Sequence, residues 1–125
     1  MERLESVKIG NGCFRKSKSF ELTNVNSLQS IIVGNECFKN AREFVLDGLE
    51  NLESMKIGYK CFTVDYGKND GICRITNCPK LRELEIGWNS FKDFKSFELF
   101  NLNSLQSIEF GDRCFLYADF SLKGE

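Results

Sequence analysis

Histidine is absent from the 125 residues, and proline, tryptophan and methionine number only one, one and two. Without histidine the chain lacks the usual general base near neutral pH and the commonest side-chain metal ligand. A hydroxyl or thiol nucleophile would need another base, and no lysine or acid stands in a recognisable pairing. A charge excess is missing too: 17 Lys and Arg face 18 Asp and Glu, the net charge is −1, and the signs are interspersed. Such a surface does not favour electrostatic capture of nucleic acid or anionic lipid. Apolar runs are a few residues long, too short to insert across a bilayer. The opening "MERLESVKIG" lacks the apolar stretch of a secretory signal. With no glycine-rich phosphate loop after a strand and no paired-carboxylate motif, an enzyme is the least expected class and no cofactor is implied.

What the chain does have is repetition. "LESVKIGNGCF" from Leu4 returns as "LQSIIVGNECF", "LESMKIGYKCF", "LRELEIGWNSF" and "LQSIEFGDRCF", with the leading leucines at Leu4, Leu28, Leu52, Leu81 and Leu105. Self-similarity at a near-constant spacing in the 20–50-residue range marks a solenoid, in which each unit buries its apolar side only against its neighbours. The length sets a single domain, with units at 4–27, 28–51, 52–80, 81–104 and 105–125.

Each unit contains two short segments with a period of two, the mark of a half-buried strand. The first places Val7 and Ile9, Ile31 and Val33, Met55 and Ile57, Leu84 and Ile86, and Ile108 and Phe110 inward. The second does the same with Phe20 and Leu22, Phe44 and Leu46, Cys73 and Ile75, Phe97 and Leu99, and Phe120 and Leu122. Val25, Leu49, Cys78 and Leu102 form a third apolar series. Gly10, Gly34, Gly58, Gly87 and Gly111 follow the first strand, where a recurring glycine signals either positive φ or close approach of successive coils. Asn24, Gly48, Asn77 and Asn101 mark a second corner that suits left-handed backbone. The stretches between are too short for a helix of normal length. The expected fold is mainly β: a solenoid of about five coils with two short parallel sheets and little or no helix. In it Phe14, Phe38, Phe62, Phe91 and Phe115 stack in the core. Cys13, Cys37, Cys61 and Cys114, with Ser90, lie beside them where a small side chain must fit.

The phrase "LxxVxIGxxCF…FxLxNLxS" resembles leucine-rich repeats, and more narrowly the short BspA-like (treponemal-type) class, along the whole chain. "NCPKLRELEI", from Asn77 to Ile86, is similar to the cysteine-bearing repeats of that family. The resemblance implies fold rather than partner. Two features depart from the family pattern: glycine after the first strand in every unit, and no terminal capping module, Leu4 lying almost at the first residue.

Four features are candidate sites. The cysteine ladder would bring Cα atoms within disulfide range, yet small-residue packing explains the recurrence better, since free cysteine is a good buried hydrophobe. No tight Cys-x-x-Cys pair supports a metal. The expansion at Thr63–Gly71, with Asp65 and Tyr66, is either a tolerated insertion or a partner-contacting loop; Asp65, Asn69 and Asp70 lack calcium-loop spacing. Tyr59 and Trp88 fall at the same position of consecutive units and should stack on the rim, either as a binding hot spot or as a cover over the core edge. Outward columns run Lys8, Ile32, Lys56, Glu85, Glu109 and Glu21, Val45, Arg74, Glu98, with Phe100 nearby; Ile32 and Val45 interrupt them as apolar points of contact.

The leading expectation is a non-catalytic protein–protein interaction module. The alternative is a structural protein that self-associates end to end through uncapped terminal coils, and a third possibility is a slice of a longer repeat protein. Reduced buried thiols suit the cytoplasm, while the family resemblance also admits the cell surface.

Overall fold

Four or five alternating residues are too few for a strand to close a core alone, so each must lean on the matching strand of the next unit. The computed structural model describes residues 4–63, 71–92, 94–114 and 119–123. Its strands are β1 (Ser6–Ile9), β2 (Ser19–Thr23), β3 (Ser30–Val33), β4 (Glu43–Asp47), β5 (Ser54–Ile57), β6 (Gly71–Thr76), β7 (Glu83–Ile86), β8 (Phe94–Phe100), β9 (Ser107–Phe110) and β10 (Asp119–Lys123). Odd-numbered strands form one five-stranded sheet in chain order and even-numbered strands another. Every pairing is parallel, and in the odd-numbered sheet the repeat stays in register: Val7 beside Ile31, Ile31 beside Met55, Met55 beside Leu84, Leu84 beside Ile108. In the other sheet β6 and β8 slip by one residue between Gly71 and Ile72. The fold is a β-solenoid, with four turns of chain between β1 and β9. No helix among the described residues is long and apolar enough to cross a membrane.

The core lies between the two sheets. Leu28, Leu52 and Leu81, the inward pairs of β3, β5 and β7, and Phe44, Leu46, Cys73, Ile75 and Phe97 are buried in one cluster. A file of parallel rings runs through it: Phe14 on Phe38 at 5.1 Å, Phe38 on Phe62 at 4.9 Å, Phe62 on Phe91 at 4.6 Å, all within 10° of coplanar. Phe44 meets Phe62 edge-on at 5.1 Å. Each such pair adds about 0.5–1.5 kcal/mol beyond area burial.

The outermost coils correct part of the expectation. Phe14, expected in the core, is 54% exposed: among the described residues its one ring partner is Phe38, on one side. Ile108 and Phe110 take their inward register, yet remain 39% and 37% exposed. Cys13 and Cys114 are half-buried, whereas Cys37 and Cys61 are buried. Phe115 lies outside the described residues.

Of the two reasons offered for the glycine ladder, close approach holds. None of its five members has positive φ. A Cβ on Gly87 would stand 2.6 Å from the Gly58 carbonyl carbon and 2.7 Å from the Tyr59 amide nitrogen, a distance real side chains do not tolerate. The left-handed positions lie elsewhere. At the second corner Asn24, Gly48, Asn77 and Asn101 have φ of 55°, 71°, 55° and 57°, as expected. At the first corner the left-handed residues are Phe14, Phe38, Phe62 and Phe91, with φ between 54° and 57°, together with Gly12, Glu36, Lys60, Asn89 and Arg113. Left-handed backbone costs a non-glycine residue about 1–2 kcal/mol. In the inner coils, burial and stacking of the phenylalanine ring offset it.

Candidate functional site

The residue after each corner glycine is held by main-chain bonds to the coil before it. Glu36 N donates to the Tyr59 carbonyl and Lys60 N to the Trp88 carbonyl, both at 2.9 Å, so Tyr59 and Trp88 sit one above the other on the rim. In the earlier coils this position is asparagine. Asn11 Oδ1 accepts from Asn35 N at 2.8 Å, and Asn35 Oδ1 from Tyr59 N at 3.0 Å. An asparagine ladder thus gives way to an aromatic one. The Tyr59 and Trp88 rings stack with centroids 5.0 Å apart and planes 12° from parallel. Lys60 Nζ lies 5.2 Å from the Trp88 ring centroid, within cation–π range.

Trp88 is 44% exposed despite these contacts. Beyond it opens a cleft of about 590 Å³ lined by Trp88, Asn89, Gly111, Asp112 and Arg113. On the other side of the aromatic pair a smaller cleft of about 200 Å³ runs past Tyr59, Asn35, Glu36 and Arg15 toward Asn11. Lys39 Nζ binds Glu36 Oε1 at 3.0 Å and holds that carboxyl below the usual glutamate range. The rim therefore offers a flat aromatic centre between two recesses, each with charges of both signs.

The other site residues are not gathered there. Ile32 is exposed on β3, and Val45 is half-buried on β4 in the opposite sheet, so the two make no common patch. Phe100 is exposed at the end of β8, in register with Thr76. Asp65 and Tyr66 lie outside the described residues. The expected cross-strand pairs are present: Lys56 to Glu85 at 3.6 Å and Arg74 to Glu98 at 3.1 Å. At such exposure each contributes little.

The cysteine ladder has a more specific basis than size. Cys37, Cys61 and Cys114 donate their thiols to the Gly10, Gly34 and Gly87 carbonyls at 2.9, 3.1 and 3.0 Å. Ser90 donates its hydroxyl to the Gly58 carbonyl at 2.7 Å. The position selects a small donor aimed at the preceding glycine. Burial pushes the Cys61 thiol up to about 11 and raises that of Cys73 well above its ordinary range. A thiol so protonated is a poor nucleophile. Among the described residues no group of three or more His, Cys, Asp or Glu is placed to hold a metal ion.

Lys60 and Arg113 are not marked by the sequence pattern, and Asp112 is marked only as the residue that follows its corner glycine. The repeat itself held the signal: Asp112 shares the register position of Tyr59 and Trp88, and Lys60 and Arg113 the next. Comparison with protein-family models, with curated proteins and with solved structures found no match.

Proposed function

We propose that the chain is a non-catalytic, leucine-rich-repeat-type protein-binding module whose contact surface is the rim centred on Tyr59 and Trp88. The observation that supports this most is the half-exposed Trp88, stacked on Tyr59 and opening onto a cleft. A rigid aromatic face held by main-chain bonds loses little entropy on binding, and aromatic and arginine side chains dominate protein-interface energetics. The mixed charges of Arg15, Glu36, Lys60, Asp112 and Arg113 fit a protein surface better than a nucleic-acid backbone, which selects a single sign.

The test is a paired pull-down with the chain and its Tyr59→Ala/Trp88→Ala variant as baits, matched for strand content by circular dichroism. Proteins retained by the first bait should be lost or weakened at least tenfold with the second, since hot-spot aromatics each contribute about 2 kcal/mol or more. Equal retention on both baits removes the rim from the proposal.

A further inference from the structure

The ladders that bind coil to coil have a direction, and the two outer coils hold their opposite halves. Thiol or hydroxyl donors run from each coil back to the glycine carbonyl of the preceding one. At the first coil this leaves the Cys13 thiol with only a 3.7 Å contact to its neighbour Asn11 O, and at the last coil it leaves the Gly111 carbonyl without a donor among the described residues. A second ladder runs the other way: Gly12 N to Asn35 O, Glu36 N to Tyr59 O, Lys60 N to Trp88 O and Asn89 N to Asp112 O, each at 2.9 Å. Its next step would join Arg113 N to an asparagine carbonyl at the position of Asn11.

Apolar surface and charge follow the same division. The first coil leaves Phe14 part-exposed at one end of the stack, and the last leaves Ile108 and Phe110 part-exposed at the other. β1 and β9 are the edges of their sheet and carry Lys8 and Glu109 at the same register position. In the register shared by every pairing of this sheet, a strand added beyond β9 with the sequence of β1 would set Lys8 beside Glu109 and Val7 beside Ile108. Opposite charges so placed favour pairing. Joining two like ends would instead group lysines with lysines or glutamates with glutamates, and offer thiol to thiol or carbonyl to carbonyl.

We propose that the occupant of each outer face is a second copy of this chain, docked head to tail so that β1 of one copy continues the sheet beyond β9 of the next. The Cys13 thiol then donates to the partner's Gly111 carbonyl, the partner's Arg113 N donates to Asn11 O, and the exposed Phe14 ring is covered at the junction. Such a contact is heterologous and does not close on itself, so the product is an open-ended filament of solenoids. The junction meets the rim at its margins, where Gly111, Arg113 and Asn11 line the clefts, but it uses neither the Tyr59 nor the Trp88 ring, so the Tyr59→Ala/Trp88→Ala variant should assemble like the unaltered chain.

Sedimentation velocity on the 125-residue chain, from micromolar to millimolar concentration, tests this directly. Mass should rise with concentration without a plateau. A monomer throughout, or a dimer that grows no further, overturns the proposal. Phe14→Lys should abolish growth while retaining strand content, because the residue is already half in water; undiminished growth overturns the assigned face. Lys8→Glu and Glu109→Lys should each weaken assembly roughly three- to tenfold. Combining them in one chain should restore it, and failure to restore overturns the register.

Discussion

Gly10 and Gly87 occupy one position of the repeat, yet their surroundings share almost nothing. A Cβ on Gly87 would meet three backbone atoms of the preceding coil within 2.7 Å, whereas one on Gly10 would meet nothing within 4 Å. Phe62 is fully buried between Phe38 and Phe91; Phe14 stacks on Phe38 alone among the described rings and is about half exposed. Cys61 donates to a glycine carbonyl that Cys13 lacks. At the glycine, cysteine and phenylalanine positions inner and outer coils thus carry the same residues at the same register, and there they differ in having two neighbours or one. A nearest-neighbour solenoid obtains its stability from those interfaces, so the outer coil serves as a matched control for the inner one.

The largest contrast should come from the ring file. Phe62→Ala should cost about 3–5 kcal/mol in urea denaturation, the usual range for emptying a packed phenylalanine site. Phe14→Ala should cost about 1 kcal/mol or less, since half of its surface is exposed already. Equal losses at the two sites would mean that the first coil is as well covered as the third.

The strands, their register, the asparagine corner and the outward charge columns were all legible in the sequence, because each follows from periodicity of two and a fixed repeat. What periodicity does not carry is the number of neighbours a unit has. Val7 and Ile9 spell the same pattern as Ile57 and Met55, and nothing in the letters marks the first pair as half-exposed. Nor did composition reveal left-handed phenylalanines, since bulky residues are among the least expected at positive φ. Phe94 was missed for a related reason. Its ring fills the core over Gly71, where a Cβ would strike it at 2.5 Å, and only the three-dimensional pairing of β6 with β8 links the two. The rim pair was found because Tyr59 and Trp88 share a register position; its clefts depend on side-chain conformation, which the repeat does not encode.

The glycine contrast comes next in size. Gly87→Ala should destabilise by about 2–3 kcal/mol through overpacking, because the obstructing atoms are backbone and cannot rotate away. Gly10→Ala should be neutral or raise stability by up to about 1 kcal/mol through loss of unfolded-state freedom. Thermal melts of the two single variants suffice, and a destabilising Gly10→Ala would show that another group packs against the first coil.

The smallest contrast concerns the thiols and is sharpened by pH. Cys61→Ala should cost about 1 kcal/mol by leaving the part-buried Gly34 carbonyl without its donor. Cys61→Ser should recover most of that, as the natural Ser90 indicates, while Cys13→Ala should change little. The folded chain holds the Cys61 thiol at about 11 through burial, above the ordinary cysteine value near 8.5. The folded state therefore retains this proton where the unfolded state loses it. The associated stability is complete below about pH 8.5 and declines as pH rises toward 11. Buried Cys73 adds to the decline in the same direction. Melting temperature followed from pH 8 to pH 11 should fall, and Cys61→Ser should flatten part of that slope. An identical slope in both chains would place the alkaline sensitivity outside Cys61.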